Sequence, residues 1–464
     1  MKETSHLSHP TGLREAAHSE LGVERLENLI PRRDRGGRAY YQCPPTFRPF
    51  EVTGATFPFP LVERGRRTTF IFTADRIGAY NETLKTGSWF PFSSVALTAG
   101  LSLADYGDVW VVMAPSYTAY RDTNGNCLSP TPIFSCCCGH GDRFIAANNT
   151  DKRVYWGSPL GDDLSVMLGV SGATRTTKQL NREDFGSAPY IFQGDALAMK
   201  LLGDDIVVYG EDGINILTEN GMKGYDPHPV IGISPNVGLK SARAVVGGLD
   251  AHVFLGSDGA LYSVGPGGKG ERVSPAGYRE FLNDLSSPIM SMDHEQGDIW
   301  IVDATSSYCF TEAGLGGPLD LAPYGSVLLS DGTVLKTGRP YTTGDAVIFE
   351  VVSSQFDFGE SGCFAVTELQ IGADEFHHLR GGMYYRYSTR ENWRRTSRLK
   401  AFSREGSVNF PMQCTQGKSI FSGTLANPDL GGKIRRMEVR KNITDKRYRR
   451  GTKILGGGVT APEE

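Results

Sequence analysis

No stretch of the 464 residues approaches the about 18 consecutive apolar residues that a membrane-spanning helix needs, and the opening MKETSHLSHPTG lacks the apolar core of a signal peptide. The expectation is a chain made and folded in the cytoplasm. Cysteine is sparse at eight, and no CxxC pair occurs. Its one cluster, Cys136-Cys137-Cys138 in the strand-like PIFSCCC, cannot converge on a metal because adjacent strand residues point to opposite faces. Buried thiols, packing as small hydrophobes, are expected there. The phosphate-cradling GxxxxGK[ST], the zinc-binding HExxH, the nucleophile-presenting GxSxG and the EF-hand loop are all missing. GPGGKG at 265–270 follows a hairpin instead of opening a helix and is expected to be a turn. His377-His378 beside Asp374 and Glu375 are neighbours on one short stretch, a poor source of a closed metal site. No catalytic group, metal or cofactor is therefore expected, and the net charge of −4 is too small to name a partner.

What is abundant is turn and strand chemistry: 57 glycines, 19 tyrosines and 23 phenylalanines suit short strands joined by tight turns. In GGLDAHVFLGSDGALYSVGPGGKGERVS, 247–274, alternating Val253 and Leu255 lead into Ser257-Asp258-Gly259, and Leu261, Tyr262 and Val264 lead out. That pattern predicts a β-hairpin. The phrase recurs as GDDIVVYGEDGINILTENG at 203–221 and GDIWIVDATSSYCFTEAG at 297–314, so Asp205, Ala251 and Asp298 fall in register, 46 and 47 residues apart. Upstream, Asp75, Asp108 and Asp142 mark shorter steps of 33 and 34, and a step of 63 to Asp205 predicts an insertion within about 175–193. Six such hairpins between Arg66 and Gly314, at roughly the length of a four-stranded blade, predict an all-β β-propeller of five to seven blades, six favoured. One short helix is expected from Ala276.

The flanks differ in texture. Residues 1–31 form an N-terminal arm, with Leu13, Ala16, Ala17, Leu21, Leu26 and Ile30 spaced for an amphipathic helix ended at Pro31; residues 32–345 hold the propeller. Residues 346–464 form a C-terminal β-rich extension of alternating strands without the hairpin phrase. Between Arg380 and Lys453 there are 19 Lys plus Arg against 5 acidic residues, a balance of 19 − 5 = +14, which leaves −18 for the rest. Such asymmetry suits one end of the molecule to a polyanion or an acidic protein ring, the alternative being a solvated sheet face whose long Arg stems cover apolar surface. Arg390, Arg394, Arg395, Arg398, Arg435 and Arg436, the first four near Tyr384, Tyr385, Tyr387 and Trp393, are the candidate contact residues.

The phrases ENLIPRRDRGGRAYYQCPPTFRPF, GDRFIAANNTDKRVYWGSPLGD and IGISPNVGLKSARAVVGGLDAHVFLGSDGALYSVGPGGKGERVSPAGYREFL resemble the β-propeller head-to-tail proteins of short-tailed phages, variously packaged-DNA stabilisation proteins, tail accessory factors, tail hubs or nozzles. The likeness covers most of the chain to about residue 345. It implies a structural virion protein of the tail, without an active site. It further implies a homohexameric ring stacked on portal and adaptor rings, offering a platform to tail fibre, spike or needle proteins. Genomic DNA would pass through the channel without sequence-specific binding. The alternative from another class is a propeller glycosidase or lyase acting on surface polysaccharide, which needs two facing carboxylates; those of Glu211-Asp212-Gly213, Ser257-Asp258-Gly259 and Ser330-Asp331-Gly332 are placed by turn chemistry instead.

Overall fold

The computed structural model describes residues 2–6, 23–48, 61–64, 69–72, 76–81, 86–91, 101–107, 109–114, 117–122, 126–158, 162–169, 186–220, 224–329, 331–342, 346–356 and 364–443. Asp75, Asp108 and Ser330, the first part of the expected N-terminal helix, and the basic tail beyond Ile443 lie outside them.

Six antiparallel four-stranded meanders follow one another along the chain: blade 1 (61–91), blade 2 (102–128), blade 3 (136–189), blade 4 (196–229), blade 5 (245–272) and blade 6 (289–316). The six hairpins of the sequence are the second and third strands of these sheets. In blade 5, His252–Leu255 pairs with Leu261–Gly265, and Gly259 takes the left-handed conformation, φ 77°, that closes the turn. A seventh sheet of two strands, Ala322–Leu328 and Val334–Arg339, is blade 7. Its inner strand packs against blade 6 on one side and against Leu61–Arg64 of blade 1 on the other, closing a ring. Among the described residues the ring is a β-propeller of six four-stranded blades and one two-stranded blade.

The steps become unequal for a local reason. In blade 3 a six-residue helix, Asp162–Met167, stands between the third strand, Arg153–Gly157, and the outer strand, Gly186–Pro189. Gly186–Pro189, expected within an insertion, is therefore blade structure. The short helix from Ala276 is present as a 3-10 turn followed by Arg279–Leu282, and 265–270 is a turn. Cys136 and Cys138 pack on one face of blade 3 and Cys137 on the other, all at most 5% exposed. Burial pushes the Cys136 thiol up to about 12, so it stays protonated.

The two ends of the chain meet in a second unit of two six-stranded sheets. One orders Ile30–Arg33, Ala39–Cys43, Gly432–Ile443, Phe364–Asp374 and Ser407–Cys414, with Lys2–His6 also beside Gly432–Ile443. The other orders Val23–Glu27, Ile348–Ser353, Gln416–Leu425 and Phe376–Arg386, whose outer edge takes both Arg394–Arg395 and Lys400–Ala401. Leu369, Ile371 and Met437 of the first sheet share a core with Phe349, Met383 and Phe421 of the second. Two expectations are corrected here. Val23–Glu27 and Ile30–Arg33 are strands, not helix: the first pairs with 348–353, more than 300 residues away, and the second forms a hairpin with Ala39–Cys43 in the other sheet. The stretch from Arg32 does not begin the propeller either: 23–48 belongs to this sandwich, and the propeller is inserted between its two parts.

The units are fastened side by side at blade 6. Arg32 donates through both guanidinium nitrogens to Asp298, both side chains buried. Thr311 donates its hydroxyl to Pro31 O at 2.8 Å. The Asn28 amide donates at 2.7 Å to Asp320, in the segment that follows blade 6, and at 2.8 Å to Ile348 O of its own unit. No helix among the described residues is long and apolar enough to cross a membrane.

Candidate functional site

Two regions offer themselves: the funnel along the propeller axis, and the basic outer edge of the sandwich. The funnel is lined by the inner strands of blades 2 to 7 and encloses about 880 Å³. Met199, Met290, Met292 and Leu201 give it apolar wall, while Lys200 and Arg243 give it positive character. Among its described lining residues the only carboxylate is Asp105, buried at 6% exposure, with Oδ1 accepting the Gly107 N–H at 2.8 Å. Hydrolysis of a glycosidic bond needs two carboxyl groups facing each other about 5 to 10 Å apart. A lone carboxylate bound to its own turn does not supply that geometry.

Around one mouth of the funnel lie the turns from the inner to the second strand. In blades 3, 4 and 5 these turns carry Asp142, Asp204 and Asp250, all exposed. The last two are neighbours, since the Gly203 N–H donates to Leu249 O at 2.7 Å. Leu249 between them is 57% exposed.

Of the six arginines singled out in the sequence, the structure gathers four and separates two. Arg394 and Arg395 form a two-residue strand against Tyr385 and Tyr384, and Arg390 and Arg398 flank it in exposed loops. Arg394 lies over the Tyr387 ring at 5.6 Å and reaches Glu391 at 3.9 Å. Arg395 lies over Tyr384 at 5.7 Å and pairs with Glu350 at 3.4 Å. Arg435 and Arg436 are on the other sheet, on Gly432–Ile443, where Arg435 pairs with Asp374 at 2.7 Å and Arg436 with Glu438 and Gln370. Those two arginines serve a polar sheet face and do not join the cluster.

No family model matches the chain, and no curated protein matches its sequence. Similar solved structures are propellers. A streptogramin B lyase structure shares 11% identity over 63% of this chain and 96% of its own, with a TM-score of 0.40. The β-propeller domain of Cps50 (Swd1) from Myceliophteria thermophila shares 9% over 66% and 96%, at 0.38. The WD40 repeats of RRP9 share 11% over 66% and 92%, at 0.39. At such identities the likeness concerns the fold alone.

Sequence reasoning placed Trp393 at the basic edge but missed Lys418 and Arg404 there. Trp393 is held between Arg386 and Lys418, each 4.5 Å from its ring, and Lys418 also pairs with Glu24 of the N-terminal strand. Trp393, in the loop before Arg394–Arg395, and Lys418, on Gln416–Leu425, are 25 positions apart, so no local spacing announces the sandwich of charges. Exposed Arg404 completes the run. Of the acidic turn residues, Asp142 was visible as a marker of the repeat, but the repeat alone does not say which mouth of the ring it borders.

Proposed function

We propose that this chain is a structural protein of a phage tail, a ring component below the portal and adaptor that connects head to tail and helps retain packaged DNA. The observation that carries the reading is the basic, aromatic edge of the sandwich. Four exposed arginines within 390–398 stand beside tyrosines and a tryptophan already engaged by cations, an arrangement suited to contact with an acidic surface or a phosphate backbone. Its work is then done by interfaces and symmetry, not by perturbed catalytic groups. The glycosidase or lyase alternative draws no support from a funnel with one carboxylate among its described lining residues.

The test is to image particles carrying a tagged copy of the chain, alongside the purified protein mixed with portal and adaptor rings. Tag density in a six-fold ring beneath the portal is expected. Particles without the chain, or a chain that ignores both rings, would reject the reading.

A further inference from the structure

The basic edge and the propeller mouth carry unpaired charges of opposite sign. Arg390, Arg398 and Arg404 are exposed, and none has an ion-pair partner among the described residues. The same holds for Asp142, Asp204 and Asp250. Elsewhere on the surface, cations near carboxylates do pair: Arg25 with Glu27, Lys152 with Asp195, Arg435 with Asp374. The ion pairs of the basic edge itself stay within the sandwich, with Glu391 and Glu350, and none joins it to a propeller turn among the described residues.

We infer that the edge at 390–404 docks on the mouth turns of blades 3 to 5 in a second copy of this chain. The occupant follows from charge complementarity within one sequence: three carboxylates on consecutive blades face three guanidiniums along one sheet edge. Leu249, 57% exposed between Asp204 and Asp250, supplies the apolar centre that such a contact needs, and Trp393, Leu399 and Phe402, all half-buried, supply its counterpart. Edge and mouth are different surfaces, so the contact is heterologous, the type that generates a ring when its rotation closes. This deepens the proposed ring and rests on it: the edge spends its charge on the neighbouring subunit and not on DNA.

The experiment compares the full-length wild type with two variants by mass photometry and sedimentation at low and high salt. One variant is Arg390→Glu/Arg398→Glu, the other Asp204→Lys/Asp250→Lys; all four positions are at the surface, and thermal melts confirm folding. The wild type is expected to assemble at low salt and dissociate as salt rises. Each variant alone should associate at least tenfold more weakly. Mixed in equal amounts they should recover assembly, because each reversed surface meets its complement on the other variant. Variants that assemble like wild type, a mixture no better than its parts, or a wild type that stays monomeric would each overturn the contact. The tail role would still stand if tagged chain is found in particles, and would fall if it is absent, so the two failures are distinguishable.

Discussion

Inside the propeller, His252 is a buried group whose ionisation state the fold dictates. It has no exposed surface, its Nδ1 lies 2.8 Å from the Tyr209 hydroxyl and its Nε2 lies 2.8 Å from Leu201 O. A neutral ring satisfies both, accepting from the tyrosine and donating to the carbonyl; a second proton would face the tyrosine oxygen without a carboxylate to balance it. Burial, with Lys200 adding repulsion, lowers its pKa from 6.5 to about 4. The unfolded chain therefore binds the proton more readily, so this contribution to stability is complete above pH 6.5 and is lost as pH falls toward 4. The shift corresponds to roughly 3 kcal/mol at most. Urea midpoints of wild type and His252→Phe across pH 7 to 4 check it: the wild type should lose stability on acidification, and the variant, less stable at pH 7, should show a shallower slope. Arg32 poses the complementary problem. Its removal leaves the Asp298 carboxylate buried without its cation, so Arg32→Met should cost about 3 to 5 kcal/mol, while Arg32→Met/Asp298→Leu should recover much of that loss. A double-mutant cycle from denaturant midpoints would measure it, and simple additivity of the two losses would contradict the pairing.

Among the elements, the hairpins were legible because their information is local: alternating apolar residues, Asp-Gly or Gly-Asp turns, and a second strand within about ten residues. His252–Leu255 and Leu261–Gly265 pair in the register that Val253, Leu255, Leu261 and Val264 suggest. The strand at 23–27 carried no such local signal, since its partner lies at 348–353, whereas Ile30–Arg33 turns back on Ala39–Cys43 through 34–38. Val23 and Leu26 are buried against residues 348–353, and the spacing of Leu26 and Ile30 fits a helix as well as two short strands split by Asn28, which sits at φ 56°. Where those strands meet blade 6 the backbones approach closely. A Cβ on Gly316 would lie 2.6 Å from both Ile30 Cα and Leu29 O, backbone atoms that cannot rotate aside. Gly316→Ala should accordingly force the sandwich strand off the blade at a cost of about 1 to 3 kcal/mol. Thermal melting reads the loss, and faster hydrogen exchange should centre on 29–33. An unchanged melt would mean that the junction is looser than the close approach implies.

At the scale of the molecule, the propeller was foreseeable from its period, but the origin of the sandwich was not, because its two parts are separated in sequence by the entire ring. The candidate arginines were visible as a charge excess, yet a count of charges is blind to pairing, and it placed Arg435 and Arg436 beside residues that belong to another sheet. The inserted arrangement has a consequence for folding. Val23–Glu27 occupies one edge of the Ile348–Ser353 strand, and Ala39–Cys43 occupies part of an edge of Gly432–Ile443. Without them those edges present unpaired backbone groups flanked by the apolar core of Phe349, Val351 and Ile434. A chain starting at residue 49 is therefore expected to aggregate, although every residue of the propeller is retained. Because pairing, not covalent continuity, is what the sandwich requires, a synthetic peptide spanning 20–48 supplied during refolding should restore soluble protein. A peptide with Leu26→Asp, which buries a charge where Leu26 has no exposed surface, should fail. Light scattering and size-exclusion profiles separate the outcomes: soluble, well-behaved protein from the truncated chain alone would show that the N-terminal strands are dispensable covers instead of structural members of the sheets.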